Sequence, residues 1–237
     1  VEKKGQPLTG EGSVIGTTMS EITRLALAHA EDSRHKLYQM TWSPESAMTY
    51  LAHHFPGKYA SNFRILHEIS TRVPDFKPKS VLDFGAGPAP STVAAFELWR
   101  DHIEDVVCVE PSPHMTRMGR YITGEYAKNT ISWQSSFYDC EQRFDLIMVS
   151  HVQCDIRGQY SRDALIKKLW NHLTDDGMLV LIEPGTPTGF RFIHHTRELF
   201  INKLGQGKFH FVAPCPHEGL VAGSPLSESC GLFFHQS

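Results

Sequence analysis

A short apolar strand that runs through two glycines into a helix constrains the fold of this chain most. The segment spans Ser80–Ser91, and the apolar run Val81–Phe84 is typical of a central strand buried on both faces. Gly85 and Gly87 follow it, and without a Cβ atom they let a ligand approach the backbone closely. The segment therefore predicts a nucleotide-type pocket at the carboxyl edge of a sheet.

Two acidic residues sharpen the prediction of the ligand. Asp83 ends the first strand, and Glu110 ends the next apolar run, where a carboxylate accepts two hydrogen bonds from a ribose diol. Pro90 replaces the third glycine of a dinucleotide motif, which argues against NAD, and no lysine follows as in a P-loop. A nucleoside with a cationic centre suits Asp83, and S-adenosylmethionine fits that description. The predicted cofactor-binding residues are Asp83, Gly85, Gly87, Glu110, Ser136 and Ser150.

Strand and helix patterns alternate along the rest of the chain. The predicted later strands are Ile131–Ser135, Phe144–Ser150 and Gly177–Pro184, with a helix over Arg162–Leu173 that the turn Asp175–Gly177 closes. Such alternation predicts an α/β fold, a Rossmann-like, mostly parallel sheet with helices on both faces. Upstream, Ser43 and Pro44 predict the start of a helical region that ends near Val73. We expect residues 1–78 to form a tail and helical extension, and residues 79–237 to form the main domain with a cysteine-containing C-terminal segment.

Composition limits the partners of this chain. It has 237 residues, of which 41% are hydrophobic, and a net charge of −3. The overall charge of the chain therefore does not attract nucleic acid. No apolar stretch approaches the roughly 20 residues of a membrane span, and a start at Val1 suggests processing or truncation.

The stretch Thr186–Pro214 is locally basic, and its candidate RNA-binding residues are Arg191, Arg197, Lys203 and Lys208. The alternative for this stretch is a solvated helix face over ordinary core.

Several longer segments resemble one family. The matching runs are Ser46–Ala60, Pro74–Pro88, Glu110–Met115, Phe144–Val152 and Leu181–Phe190. From about residue 45 to residue 237 the chain resembles the mitochondrial small-ribosomal-subunit assembly family of methyltransferase-like proteins. The resemblance implies a class I S-adenosylmethionine-dependent methyltransferase fold and residence in the mitochondrial matrix. It also implies binding to the immature small subunit through its rRNA and its ribosomal or assembly proteins, with no membrane partner.

The chain departs from that family in two places. Ala89 replaces the last glycine of the family's loop, which adds a methyl group where the backbone would approach the methionine moiety. Members of the family resemble iron–sulfur proteins, but serine stands at the second ligand position here, at Ser224. Cys215 and Cys230 remain, and with His217 and His235 they are candidate ligands of a zinc-like site. The alternative is a pair of free thiols in a reducing compartment.

The sequence specifies no reaction. Ser150–Gln153 stands where enzymes that methylate an exocyclic amine carry an Asn/Asp-Pro-Pro-aromatic loop. His151 is either a base near neutral pH or a histidine that satisfies the loop backbone, and Cys154 lacks the proline that precedes a nucleophilic cysteine in 5-methylpyrimidine enzymes. The leading hypothesis is an assembly factor or component of the mitochondrial small subunit that binds rRNA. The alternatives are an active rRNA methyltransferase and a small-molecule methyltransferase.

Overall fold

A seven-stranded sheet forms the centre of the computed structural model, which describes residues 42–126, 130–137, 141–204, 209–213, 216 and 229–236. The strands are β1 (Ser80–Phe84), β2 (Asp105–Val109), β3 (Ile131–Gln134), β4 (Phe144–Ser150), β5 (Leu173–Pro184), β6 (Phe209–Ala213) and β7 (Ser229–Gln236). The helices are α1 (Pro44–Arg72), α2 (Pro90–Trp99), α3 (Pro113–Thr123), α4 (Gln159–Asn171) and α5 (Pro187–Leu199). A single 3-10 turn (Gln153–Asp155) follows β4, and a π-helical turn (Phe200–Leu204) follows α5.

The strand order is β3-β2-β1-β4-β5-β7-β6. The strands from β3 to β5 run parallel, and β7 is antiparallel to both of its neighbours. Phe84 at the end of β1 lies opposite Val109 of β2 and Val149 of β4. Because these ends share one edge of the sheet, the loops after β1, β2 and β4 lie side by side there.

Helices cover both faces of the sheet. On one face, Leu66 of α1 and Trp99 of α2 share a core with Val81 of β1. On the other, Leu169 of α4 and Ile193 of α5 pack in a second core that includes residues of β1, β2, β4 and β5. Adjacent residues of β1 alternate between these cores, as the pleat of a buried strand requires. The predicted α/β fold is thus confirmed.

The helical region before the sheet is one continuous helix. Ser43 caps α1, because its hydroxyl accepts a hydrogen bond from the Ser46 N–H and the Ser46 hydroxyl accepts one from the Ser43 N–H. Pro44 occupies the first turn, where a missing N–H costs nothing. The helix ends at Arg72, close to the predicted end. Residues 1–41 lie outside the described residues. The domain boundary after residue 78 stays a prediction.

The predicted turn at Asp175–Gly177 is wrong. Helix α4 ends earlier, at Asn171, and β5 begins at Leu173, so Asp175–Gly177 lies inside the strand. The pairing of β5 with β4 shifts its register between Phe144 and Leu146. These three residues lie between the pairs Phe144–Leu173 and Leu146–Met178, so β5 accommodates the two aspartates and the glycine as an irregular, bulged part of the strand.

The helices in the described part of the chain are all too short or too polar to cross a bilayer.

Candidate functional site

The loop between β1 and α2 turns through left-handed backbone. Gly85, Gly87 and Ala89 have φ of 74°, 55° and 67°. A Cβ atom on Gly85 would collide with the side chain of Val152, whereas one on Gly87 would meet nothing within 4 Å. The missing side chain of Gly85 thus makes room for the loop after β4. Gly87 borders open space that a ligand can occupy. The Ala89 methyl group is fully buried and does not line that space.

Asp83 joins β1 to the start of α2. Its Oδ2 accepts hydrogen bonds from the Thr92 N–H at 3.2 Å and from the Thr92 hydroxyl at 2.7 Å. Its Oδ1 is buried and has no hydrogen-bond partner among the described residues. Burial raises the pKa of Asp83 from 3.8 to about 6, against the lowering effect of the two Thr92 bonds. One oxygen therefore holds the helix, and the other remains available to a donor.

Glu110 connects the end of β2 to the glycine loop. Its Oε2 accepts a hydrogen bond from the Gly87 N–H at 2.9 Å, and its Oε1 accepts one from the Ser112 N–H at 2.8 Å. Burial raises the pKa of Glu110, although both bonds lower it. A carboxylate has about four acceptor positions, so each oxygen keeps capacity for a ribose hydroxyl.

The two predicted serines lie after β3 and at the end of β4. Ser136 is half-buried beside Phe137, whose ring centroid lies 6.3 Å from that of Phe84 at the end of β1. The Ser150 hydroxyl accepts a hydrogen bond from the Asn62 amide at 3.0 Å and lies 3.0 Å from Nδ1 of His151. Asp83, Gly85, Gly87, Glu110 and Ser150 therefore belong to one edge of the sheet.

Helix α1 contributes residues to this edge that the sequence analysis did not single out. Asn62 is fully buried and reaches across to Ser150. The Lys58 ammonium lies 5.0 Å from the centroid of the Tyr50 ring. Burial lowers the pKa of Lys58, while the charges of Cys154, Asp155 and Glu183 raise it. The helical periodicity of α1 predicts that these residues lie on a helix. It does not predict their partners, which lie 88 or more positions away in the sequence.

Glu183 at the end of β5 is another buried acid. Its Oε1 accepts a hydrogen bond from the Gln153 N–H at 2.8 Å, and its Oε2 has no hydrogen-bond partner within the described part of the chain. Burial raises the pKa of Glu183 from 4.5 to about 7. Gln153 is itself buried and accepts a hydrogen bond from the Thr196 hydroxyl at 3.3 Å. The loop after β4 is therefore anchored to β5 and to α5.

The four candidate RNA-binding residues have different environments. Arg191 is exposed on α5 and Lys203 is exposed in the π-helical turn, whereas Lys208 lies outside the described residues. Arg197 is only 3% exposed, and its guanidinium carbon lies 3.8 Å from the centroid of the Phe211 ring. The prediction that Arg197 is a surface RNA contact is therefore wrong, because α5 turns its side chain toward β6.

Arg191 borders a shallow groove between α4 and α5. The groove has a volume of about 470 Å³, and its lining includes Arg162, Phe190, Arg191 and His194. The Arg162 guanidinium donates to the backbone oxygen of Ile156 at 2.7 Å and lies over the Phe192 ring. This groove combines cationic groups with aromatic rings.

The candidate metal ligands fall largely outside the described residues. Cys215 is among these undescribed residues, and Cys230 is described only for its backbone, which lies opposite Glu183. Where side chains are described, no three histidine, cysteine, aspartate or glutamate residues group as metal ligands. Cys108 is buried and Cys154 is exposed, both as free thiols. A site at Cys215 and Cys230 stays a prediction.

Comparisons with known structures identify the fold. The N-methyltransferase NodS from Bradyrhizobium japonicum, in complex with S-adenosyl-L-homocysteine, superposes with a TM-score of 0.57 at 17% identity. The match covers 81% of this chain and 97% of NodS. The chain therefore has the class I methyltransferase fold.

Comparisons with known sequences identify the family. The human mitochondrial ribosome assembly protein METTL17 is 26% identical over 211 residues, which cover 84% of this chain and 46% of METTL17. The ribosome assembly protein RSM22 of Saccharomyces cerevisiae is 25% identical over 63% of this chain and 31% of its own length. The chain thus spans less than half of these relatives. The profile of the family described as "Mitochondrial small ribosomal subunit Rsm22" matches residues 44–232. The chain belongs to the Rsm22 family.

Proposed function

We propose that this chain acts in the mitochondrial matrix in assembly of the small ribosomal subunit, where it binds rRNA and ribosomal or assembly proteins. The family match over residues 44–232 carries this proposal. The two relatives described above are both named mitochondrial ribosome assembly proteins, which supports the same role.

The groove beside α5 supports an RNA-binding surface. Arg191 is exposed in the groove, Lys203 is exposed in the turn after α5, and the ring centroids of Phe190 and His194 lie 5.7 Å apart. Cations that contact phosphates and rings that stack on bases are the usual elements of single-strand recognition. The groove can therefore hold a short single-stranded segment of rRNA.

The glycine loop supports a pocket for S-adenosylmethionine. Gly87 borders open space, Glu110 keeps acceptor capacity for the ribose, and the buried Asp83 Oδ1 lacks a partner among the described residues. These features fit a nucleoside with a cationic sulfonium centre, which supplies the methyl group in enzymes of this fold. In this chain, Asp83 and Glu110 would hold that cofactor.

An active rRNA methyltransferase is the second candidate, and the loop after β4 argues against it. Val152 covers Gly85, and Gln153 is buried against Glu183 and Thr196. The loop residues are thus occupied with internal contacts where amine-methylating enzymes hold their substrate. This arrangement favours assembly without methyl transfer, and equally disfavours a small-molecule methyltransferase.

Sedimentation of mitochondrial extracts tests the assembly role. We expect the tagged chain to migrate with immature small-subunit particles and to leave them as salt rises, because phosphate contacts release counterions. The variant R191A/K203A should leave the particles at lower salt than the matched variant R64A/K77A, which removes exposed charges from α1 and from the segment after it. Migration apart from small-subunit particles at every salt concentration would overturn the proposal.

Calorimetric titration with S-adenosylhomocysteine tests the pocket separately. We expect binding by the unaltered chain and much weaker binding by E110Q, whose amide cannot replace both carboxylate oxygens as acceptors. No heat of binding from the unaltered chain would remove the cofactor from the proposal and leave the assembly role standing.

A further inference from the structure

Arg162, near the start of α4, is held in place along the edge of its guanidinium group. Its Nε and Nη2 donate hydrogen bonds to Oε1 of Gln159 at 3.4 Å and 3.0 Å, and its Nη1 donates to the backbone oxygen of Ile156 at 2.7 Å. Because these bonds involve all three guanidinium nitrogens and lie along the edge of a rigid plane, they restrain rotation of the group. A side chain that is usually mobile therefore has a defined orientation here.

Gln159 is held in turn by a contact that connects α4 with α5. Its Nε2 donates to Oδ1 of Asp163 at 2.8 Å, and because a carboxylate only accepts, the amide oxygen is the atom that faces Arg162. The same Asp163 oxygen lies 3.1 Å from Nε2 of His195 on α5. The orientation of Arg162 is thus supported from both helices that form the groove.

The two faces of the Arg162 guanidinium have different surroundings. The guanidinium carbon lies 4.4 Å from the centroid of the Phe192 ring of α5, which covers one face. Arg162 is half-buried and lines the groove together with Phe190 and His194. Since Phe192 covers one face and hydrogen bonds occupy the edge, the other face is the part that is left to border the groove. This face offers a flat cationic surface on which an aromatic ring can stack.

Charge separates two kinds of contact at this groove. Arg191 is exposed at its border, and its Nη2 donates to the Thr188 hydroxyl near the start of α5 at 3.1 Å. Glu198 also lines the groove and offsets part of its positive charge. A partly neutralised groove with aromatic walls favours a base inside it, whereas the exposed Arg191 can contact a phosphate.

We propose that the free face of Arg162 stacks on one unpaired nucleobase of the bound RNA while Arg191 contacts a phosphate of the same strand. The proposal rests on the proposed role in rRNA binding and names the part of the RNA that enters the groove. Stacking on a guanidinium plane needs no hydrogen bond to the edge of the base, so it accepts any base. It requires a base that is not stacked within a duplex, which selects loops, bulges and ends of rRNA.

Two ligands that differ only in their bases test the stacking contact. Octaadenylate RNA carries bases, and an abasic ribose-phosphate chain of the same length has the same phosphates without them. In fluorescence anisotropy at moderate salt, we expect the unaltered full chain to bind octaadenylate at least about fivefold more tightly than the abasic chain, because a stacked base contributes at least that factor. Equal affinity for the two ligands would overturn the proposal, and this comparison depends on no variant.

Lysine substitutions assign the contact to Arg162. R162K keeps the charge but lacks the plane, so it should weaken octaadenylate binding by at least about fivefold and change binding of the abasic chain by less than about twofold. R191K is the matched control. A phosphate contact requires the charge alone, so R191K should change both affinities by less than about twofold. Urea unfolding verifies that each variant is folded.

The variant results can contradict the proposal in two ways. Equal losses for both ligands in R162K would overturn it, because Arg162 would then act through its charge. Unchanged octaadenylate binding by R162K would also overturn it and would leave the groove to a protein partner. Neither result changes the sedimentation of the chain with small-subunit particles, so the assembly role is judged separately.

Discussion

Glu110 and Gly87 are joined by a hydrogen bond of 2.9 Å from the Gly87 N–H to the carboxylate, so the tip of β2 holds the glycine loop in place. The same carboxylate accepts from the Ser112 N–H at the start of α3. Loop conformation and ribose recognition therefore depend on one side chain.

Replacing Glu110 by glutamine should lower stability as well as nucleoside affinity. The amide can accept only one of the two backbone bonds, and a lost bond to a charged group costs about 1.5–3 kcal/mol. Urea unfolding measures the free energy of unfolding. E104Q is the matched control, because Glu104 pairs with Lys79 at an exposed site and should change stability by less than about 0.5 kcal/mol.

The variant A89G should be neutral or slightly stabilising. Ala89 is left-handed, which costs about 1–2 kcal/mol for a residue with a Cβ atom, while its buried methyl group returns about 0.8 kcal/mol. Ala94 in the regular part of α2 is equally buried, so A94G should instead destabilise by about 1 kcal/mol or more. Equal destabilisation by both variants in thermal unfolding would contradict this account.

The contribution of Glu183 to stability should fall as the pH rises from about 4.5 to 7. Its folded pKa of about 7 exceeds its ordinary value of 4.5, so the folded chain holds the proton more tightly than the unfolded chain. Its contribution is favourable at low pH and is lost as the pH rises through 7, at about 1.4 kcal/mol per pKa unit. E183Q should flatten this slope. E125Q, at an exposed position, should leave the slope unchanged.

Substitution of Arg191 should change RNA affinity, whereas substitution of Arg197 should change stability. R191A removes an exposed charge, so it should weaken binding to small-subunit rRNA and reduce the salt slope by about 1. R197A removes a buried guanidinium from the Phe211 ring, so it should lower the free energy of unfolding by about 2 kcal/mol or more. The opposite pattern in filter binding and urea unfolding would refute the assignment.

Local patterns predicted most of the sheet. The apolar run at Val81, the proline at Pro90 and the cap at Ser43 act within a few residues, so sequence alone located β1, α2 and the start of α1. Contacts between distant residues were not predictable. Arg197 is buried because β6 lies beneath α5, and Asn62 meets Ser150 because α1 crosses the sheet edge. Asp175 lies inside β5 because the strand bulges there, between the residues that pair with Phe144 and Leu146 of β4.

The contact of Val152 with Gly85 bears on how such a domain changes over time. Protein atoms support the glycine loop on the side of β4, and Glu110 supports it on the side of β2. Two of the supports of the glycine loop therefore come from the protein itself. Selection for chemistry can lapse in a lineage while the same surfaces continue to serve as a scaffold for a ribosomal particle.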